Sequence, residues 1–189
     1  MRRVGLIFMS LLLIVFFAIA GCAQTAPLAE PPNDGKAEFA ITSPAFAEGA
    51  EIPVKYTDDS QNVSPPLDWS RGPSGTASFA LIMDDPDAPI GMFTHWIIFN
   101  LPPDTQGLPE AVPRDEKLDR RALQGKNGGR KIGYFGPSPP KGSPHRYCFT
   151  LYALDKSLDL AAGASKEQVL QAMDGHVLAQ SQLTGIYQR

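Results

Sequence analysis

Five side chains with acid–base chemistry stand in three short segments of this 189-residue chain. Asp85 and Asp87 belong to the run D-D-P-D-A-P, His95 opens the run H-W-I-I-F-N, and His145 and Tyr147 belong to H-R-Y. Carboxylates, imidazoles and phenols form hydrogen bonds and exchange protons, which suits them to binding a small polar ligand. Side chains alternate along a strand, so His145 and Tyr147 should project from one face. The pattern predicts a pocket beside that face.

The segment before His145 is a stiff, irregular loop. Its prolines fix φ and remove backbone donors, so residues 133–144 can form neither a helix nor a central strand. From His145 onward apolar residues recur at every second position, with Tyr147, Phe149 and Leu151 on one face. A strand is therefore predicted to start where the loop ends.

The remaining pattern is that of a mainly β protein. Short strands are predicted at residues 37–42, 51–56, 78–84, 96–101 and 147–154. Apolar stretches at 79–83 and 97–99 place two of these strands deep in a sandwich or packed sheet. A helix is predicted only late in the chain, where Ser165 and Gln168 form a capping-box pattern and Gly175 marks a stop.

A hydrolase is the first catalytic alternative, because Ser138, His145 and Asp85 supply the elements of a triad. The chain contains no G-x-S-x-G nucleophile elbow, however, and in G-P-S-P-P at 136–140 a proline stands where that motif needs glycine. Pro139 and Pro140 also remove backbone N–H groups that could form an oxyanion hole. The sequence therefore favours binding without turnover.

A metal site is the second alternative, since two histidines and an aspartate could leave an open coordination position. No H-x-x-x-H or C-x-x-C spacing supports it, and we expect neither a metal nor a cofactor. His95 equally suits the role of a buried, hydrogen-bonded core histidine. His176 follows the predicted helix stop and is expected to be a surface or capping residue.

Several separated motifs together resemble the phosphatidylethanolamine-binding protein family, and most closely its bacterial branch, described as Raf kinase inhibitor-like. They are V-S-P-P-L-D-W at 63–69, D-D-P-D-A-P at 84–89, H-W-I-I-F-N at 95–100, G-P-S-P-P-K-G-S-P-H-R-Y at 136–147 and G-I-Y at 185–187. The resemblance covers roughly residues 37–189. It implies a two-sheet β-sandwich with one or two short peripheral helices near the C-terminus.

The resemblance also implies a function: non-catalytic binding of a small anion or a phospholipid head group, with interference with kinases or proteases in some members. The family's ligand-binding positions correspond here to Asp85, Asp87, His95, Ser138, Pro139, Pro140, His145, Tyr147 and, less closely, Tyr187. The family often has Gly or Cys where Ser138 stands, so the resemblance assigns no role to its hydroxyl. The Ala88–Pro89 bond is expected to be cis. A module that inhibits another protein through its surface, with the cleft as a regulatory detail, remains a further alternative.

The N-terminus has the pattern of a lipoprotein signal peptide at residues 1–21. Arg2 and Arg3 precede an apolar run that is short for a membrane span and ends in Ile-Ala-Gly before Cys22. This end resembles a bacterial lipobox, which would place a lipid on Cys22 and anchor the exported protein to the envelope, on the periplasmic face of a membrane or at the cell surface. An uncleaved signal anchor is the alternative.

Residues 22–36 are proline-rich and poor in aromatic residues, which predicts a flexible tether to a domain at 37–189. Removal of Arg2 and Arg3 would change the formal charge from −3 to about −5. No basic face typical of nucleic-acid binding is visible in the sequence. With Cys22 lipidated, Cys148 would have no partner for an internal disulfide. The identity of a protein target and the formation of a homodimer are left open.

The anchoring hypothesis predicts that Cys22→Ser abolishes acylation and leaves unprocessed precursor or a differently cleaved form. Metabolic labelling with a fatty acid measures this directly. Label retained on the Cys22→Ser protein would contradict the lipobox assignment.

Overall fold

Two antiparallel β-sheets packed face to face make up residues 39–189, the part of the chain that the computed structural model describes. The elements are β1 Ile41–Thr42, β2 Leu67–Trp69, β3 Ser78–Asp85, β4 Phe93–Leu101, β5 Gly107–Leu108, β6 Leu123–Gln124, β7 His145–Leu154, α1 Lys166–Met173 and β8 Val177–Tyr187, with 3-10 turns at Val54–Tyr56 and Asp119–Arg121. The predicted signal peptide and tether, residues 1–21 and 22–36, lie outside the described residues.

The larger sheet has the strand order β6-β4-β3-β7-β8, and the smaller has the order β1-β2-β5. Between the sheets lies the main core, in which Trp69 of β2 contacts Phe79 of β3 with ring centroids 6.0 Å apart. The opposite face of the large sheet is covered by α1, which packs Val169 and Met173 on Ile82 and its neighbours. Both faces of β3 are thus buried, which explains its unbroken apolar sequence.

The predicted sandwich is confirmed, as are three of its strands and the late helix. Predicted strands 78–84, 96–101 and 147–154 correspond to β3, β4 and β7. The capping box is present: the Ser165 side chain accepts a hydrogen bond from the Gln168 backbone N–H, and Gly175 follows with φ of 75°. Within residues 39–189 no helix has the length and apolar character needed to cross a membrane.

Two strand predictions were wrong in extent or type. Residues 51–56 do not form a strand, because Pro53 leads into a 3-10 turn and only Glu51 makes a bridge, to Ile186. The predicted strand at 37–42 is reduced, in the described part, to β1. The sequence also missed β8, the long edge strand that pairs with β7, because polar Gln180, Ser181 and Gln182 interrupt its apolar pattern.

A substitution at Gly185 tests how Phe46 and Ile52 pack on β8. A Cβ at this position would collide with the Ile52 side chain and lie 2.9 Å from the Phe46 ring. We expect Gly185→Ala to lower the free energy of unfolding by about 1–3 kcal/mol, the usual cost of overpacking a core, as measured by denaturant unfolding.

The matched control is Gly129→Ala in an exposed loop, where the nearest atom is the Asn127 Oδ1 at 3.3 Å. Its effect should stay within about 0.5 kcal/mol. Equal stabilities for the two variants would contradict the packing described here.

Candidate functional site

A cleft opens at the edge of the large sheet where β3 ends and β4 and β7 begin. Because these neighbouring strands are antiparallel, the last residue of β3, Asp85, lies close to the first residues of the other two, Phe93 and His145. The cleft has a volume of about 250 Å³. It is lined by Asp85, Ala88, Pro89, Ile90, Phe93, His95, Phe135, Ser138, Pro139, Pro140 and His145.

A buried, hydrogen-bonded pair of Asp85 and His145 forms the polar floor of the cleft. The Nδ1 of His145 lies 2.8 Å from the Asp85 Oδ2, and 9% and 5% of the two side chains are exposed. A carboxylate oxygen only accepts, so Nδ1 carries the hydrogen. In the described chain the Nε2 atom of His145 makes no hydrogen bond, so it is available to a ligand.

Asp87 supports this pair from outside the cleft. Its backbone N–H donates to the Asp85 Oδ1 at 2.8 Å, and its own carboxylate accepts from the Arg146 backbone and guanidinium at 2.7–2.9 Å. These hydrogen bonds from Arg146 lower the pKa of Asp87 to about 2. Asp87 therefore holds the ends of β3 and β7 together, while Asp85 lines the cleft.

The Ala88–Pro89 bond is trans, so the expected cis bond was wrong; every peptide bond described in residues 39–189 is trans. The turn does not need the cis isomer, because the Asp87 N–H to Asp85 hydrogen bond and the Gly91 N–H to Ala88 carbonyl bond, 2.9 Å, already reverse the chain.

His95 is both a core residue and a wall of the cleft. Its ring is 3% exposed, stacks on Phe135 and meets Phe93 and Tyr147 edge-on. The Nδ1–H donates to the Phe135 carbonyl at 2.7 Å. Burial lowers the pKa of His95, and hydrogen bonding to the Phe135 carbonyl and the charge of Asp85 offset only part of this effect. We expect a neutral ring near pH 7.

Tyr147 lies beneath the cleft lining rather than on it. Its side chain is fully buried, and its hydroxyl has no hydrogen-bond partner of normal geometry among the described residues. Burial and the nearby Asp85 charge raise the pKa of Tyr147, so the phenol keeps its proton. A buried donor of this kind costs free energy unless a polar group meets it.

The turn at residues 137–140 forms the wall opposite the β3–β4 loop, and the C-terminus holds it in place. The Ser138 hydroxyl donates to the Asp58 Oδ2 at 3.0 Å, and the Pro137 carbonyl accepts from the Asp58 N–H. Arg189 forms ion pairs with Asp58 and Asp59, and its Nη1 lies 3.4 Å from the Pro139 carbonyl. The Ser138 hydroxyl is thus used in positioning the turn.

Tyr187 stands apart from the cleft lining. It pairs with His145 across β7 and β8, but its hydroxyl donates to the Asp59 Oδ2 at 2.7 Å, and the residue lines a separate depression beside Arg189. Its role is in the network that supports the Ser138 turn.

Sequence patterns missed two aromatic walls, Phe93 and Phe135. Phe93 stands two residues before His95, so alternation along β4 could have placed it on the same face. Phe135 lies within the glycine- and proline-rich loop, where no periodicity exists to reveal it. His176, as expected, lies away from the site, in an exposed ion pair with Asp155.

Other features of the described domain carry less chemistry. A depression of about 310 Å³ at the far end of β4, between Leu101 and Ala122, has mainly Leu, Pro and Val walls and no histidine. The His and acid residues of 39–189 form no group of three that could hold a metal ion.

The chain is similar to known proteins over most of its length. The family described as phosphatidylethanolamine-binding protein matches residues 42–188. A UPF0098 protein of Methanothermobacter thermautotrophicus is 54% identical over 145 residues, which cover 77% of this chain and 95% of that protein. A Mycobacterium tuberculosis protein named "Putative lipoprotein LppC" is 40% identical over 164 residues, which cover 86% of this chain and 75% of that protein.

Two crystal structures show the same fold. CT736 from Chlamydia trachomatis is 41% identical with a TM-score of 0.74, and the match covers 80% of this chain and 97% of that one. YbcL of E. coli, described as a new member of the mammalian PEBP family, is 32% identical with a TM-score of 0.76, covering 81% and 99%. From the match over residues 42–188 and these relatives, the chain belongs to the phosphatidylethanolamine-binding protein family.

Proposed function

We propose that the cleft binds a small anion, a phosphate monoester or a phospholipid head group, without converting it. The supporting observation is the buried pair between the Asp85 Oδ2 and the His145 Nδ1. With Nδ1–H committed to Asp85, the Nε2 of His145 donates a hydrogen bond only when the ring is protonated. The imidazole is therefore a proton-controlled donor at the floor of the cleft.

The charge of Asp85 makes anion binding depend on a proton. An anion that enters the cleft meets the negative carboxylate of Asp85, which repels it unless a proton is added. His145 can take that proton at its Nε2, and so can the ligand, since the second pKa of a phosphate monoester is about 6. Binding should therefore strengthen as the pH falls through this value.

Tyr147 adds a neutral donor. Its raised pKa keeps the phenol protonated, and its hydroxyl lacks a partner in the described chain. A phosphate oxygen or a bridging water that reaches it would satisfy a buried polar group, which contributes on the order of 1 kcal/mol.

The dimensions of the cleft favour a head group over a whole lipid. Sites for drug-sized ligands have volumes of about 300–1,000 Å³, and this cleft holds about 250 Å³. Apolar walls from Phe93, Phe135 and Pro139 leave few polar positions besides the floor. A bound phospholipid would keep its acyl chains outside.

The hydrolase alternative has less support from the geometry. Asp85 and His145 form the acid–base half of a triad, but the Ser138 hydroxyl donates to Asp58. A serine nucleophile must instead share its proton with the imidazole. Ester hydrolysis by the purified protein that disappears in Ser138→Ala would restore this alternative.

Lipid anchoring through Cys22 is part of the same proposal, and the lipoprotein name of the mycobacterial relative supports it. In this account the protein is exported and held at the envelope by its lipid. A role as a modulator of another protein would use the domain surface around the cleft. If the domain has that role, it should bind a protein partner with an affinity that substitutions in the cleft leave unchanged.

We expect phosphoethanolamine to bind more tightly at pH 5.5 than at pH 8. His145→Ala should remove most of this pH dependence and cost about 1.5–3 kcal/mol of binding free energy at the acidic pH, the range for a hydrogen bond to a charged group. Titration calorimetry on the purified domain measures both quantities.

His176→Ala is the matched control, because this exposed histidine pairs with Asp155 far from the cleft. It should leave the profile unchanged. The proposal that Asp85 and His145 bind the ligand would be refuted if the wild-type protein had equal affinities at the two pH values. It would also be refuted if His145→Ala kept the wild-type pH dependence.

A further inference from the structure

The loop between β3 and β4 carries an apolar tip at the mouth of the cleft. Ile90 is 84% exposed and Met92 is 61% exposed, the highest values among the large hydrophobic side chains in residues 39–189. Ile90 also lines the cleft. Isolated exposed hydrophobic residues are ordinary, but two on one projecting loop beside a binding cleft indicate contact with another apolar phase.

A basic hairpin lies beside this tip. The Asn127 N–H donates to the Lys131 carbonyl and Lys126 bridges to Ile132, so residues 126–132 fold back on themselves. The hairpin packs on the start of β4: the Gly128 N–H donates to the Thr94 carbonyl at 2.7 Å, and a Cβ on Gly128 would lie 2.6 Å from the Phe93 ring. Phe93 itself lines the cleft, so tip and hairpin flank one opening.

Four cations of the hairpin and of the loop after the opposite wall are exposed, and none has an ion pair within the described chain: Lys126, Arg130, Lys131 and Lys141. Lys141 follows Pro140 of the opposite cleft wall.

The neighbouring acids are mostly neutralised. Asp84 pairs with Lys166, Asp87 pairs with Arg146, and Asp58 and Asp59 share Arg189. Asp85 is buried on the floor of the cleft. Glu167, bound by the Ser165 hydroxyl, offsets one of the four cations. At this end of the domain the exposed, unpaired cations thus outnumber the exposed, unpaired acids, although the whole chain has a formal charge of −3.

An apolar tip flanked by cations on separate loops matches an anionic bilayer surface, where hydrophobic side chains enter the head-group region and lysines meet diffuse negative charge. A protein groove would instead present carboxylates at fixed positions. We propose that the cleft end of this domain docks on an anionic membrane, with Ile90 and Met92 inserted and the basic hairpin on the lipid surface. The inference rests on the proposed function in one respect: docking would bring lipid head groups to the cleft.

The proposed surface lies within residues 39–189 and uses none of the predicted anchor residues. The described chain starts with Phe39, which stacks on Phe79 near the beginning of β3. Asp85 lies six residues further along that strand, about 20 Å away at the usual rise. Docking must therefore be measured on a domain without the anchor.

The experiment uses residues 36–189, which form one compact unit. The region that matches this unit makes up 95% of the Methanothermobacter relative, so an equivalent domain exists as a chain of its own. Co-sedimentation with vesicles of phosphatidylcholine alone, and of phosphatidylcholine with phosphatidylglycerol, gives the partition coefficient. Calorimetry with soluble phosphoethanolamine is run on the same samples.

Variants separate the two components of docking. A double substitution, Lys126→Gln with Lys131→Gln, should weaken binding to the anionic vesicles roughly 25-fold, at about fivefold for each charge. Met92→Ser should weaken it about tenfold through lost apolar burial.

The control variants carry the same types of substitution, two Lys→Gln changes or one apolar residue changed to Ser, at exposed positions outside the tip and the hairpin. They are Lys117→Gln with Lys156→Gln, and Leu178→Ser, all at exposed positions. The controls should bind vesicles like the wild type. None of the variants should change the affinity for soluble phosphoethanolamine, because none lines the cleft.

The outcomes are distinguishable. Binding to anionic vesicles that falls only in the cleft-end variants supports the inference, even if soluble phosphoethanolamine does not bind and the proposed function fails. Binding of the soluble ligand without vesicle binding overturns the inference and leaves the proposed function standing. Equal losses in the control variants would mean non-specific attraction and would also overturn it.

Discussion

The site depends on one buried carboxylate. Asp85 is 3% exposed at the end of β3, and a charge in that position costs several kcal/mol unless it is paired and hydrogen-bonded. The His145 Nδ1 and the Asp87 N–H meet both of its oxygens. For the His145 donor to reach Asp85, β7 must begin beside the end of β3. For the Asp87 donor to reach it, the chain must turn directly after Asp85. The register of the central strands and the β3–β4 loop both satisfy this requirement.

The same pairing explains why the candidate binding residues lie together at one end of the sandwich. Arg146, next to His145, holds Asp87 from outside, while the C-terminal Arg189 holds the opposite wall through Asp58 and Asp59. The cleft is therefore assembled from chain segments distant in sequence, each fixed by ionic contacts at its rim. Its floor is polar and its walls are aromatic and proline-rich, so in the proposed function both size and charge would select a compact polar group.

Sequence alone predicted the parts of this structure in which periodicity was strong. The two-face burial of β3 and β4 follows from their apolar runs, and the helix was marked by Ser165 and Gln168. Periodicity does not reveal contacts between distant segments. Ser138 donates a hydrogen bond to Asp58, and Tyr187 donates one to Asp59 instead of lining the cleft. Both contacts depend on how the C-terminus crosses the 3-10 turn near Tyr56. Pro53 likewise ended a predicted strand, because its fixed φ begins that turn.

The central claim, that the Asp85–His145 floor receives a phosphate-type anion, is tested most directly by NMR of the isotope-labelled domain titrated with phosphoethanolamine at mildly acidic pH. If the floor binds the anion, the His145 Nε2 resonance and the backbone amides of Phe93, His95 and Ser138 shift together and saturate at one ligand concentration. Shifts confined to the depression between Leu101 and Ala122, or the absence of any saturating change at His145, would contradict it.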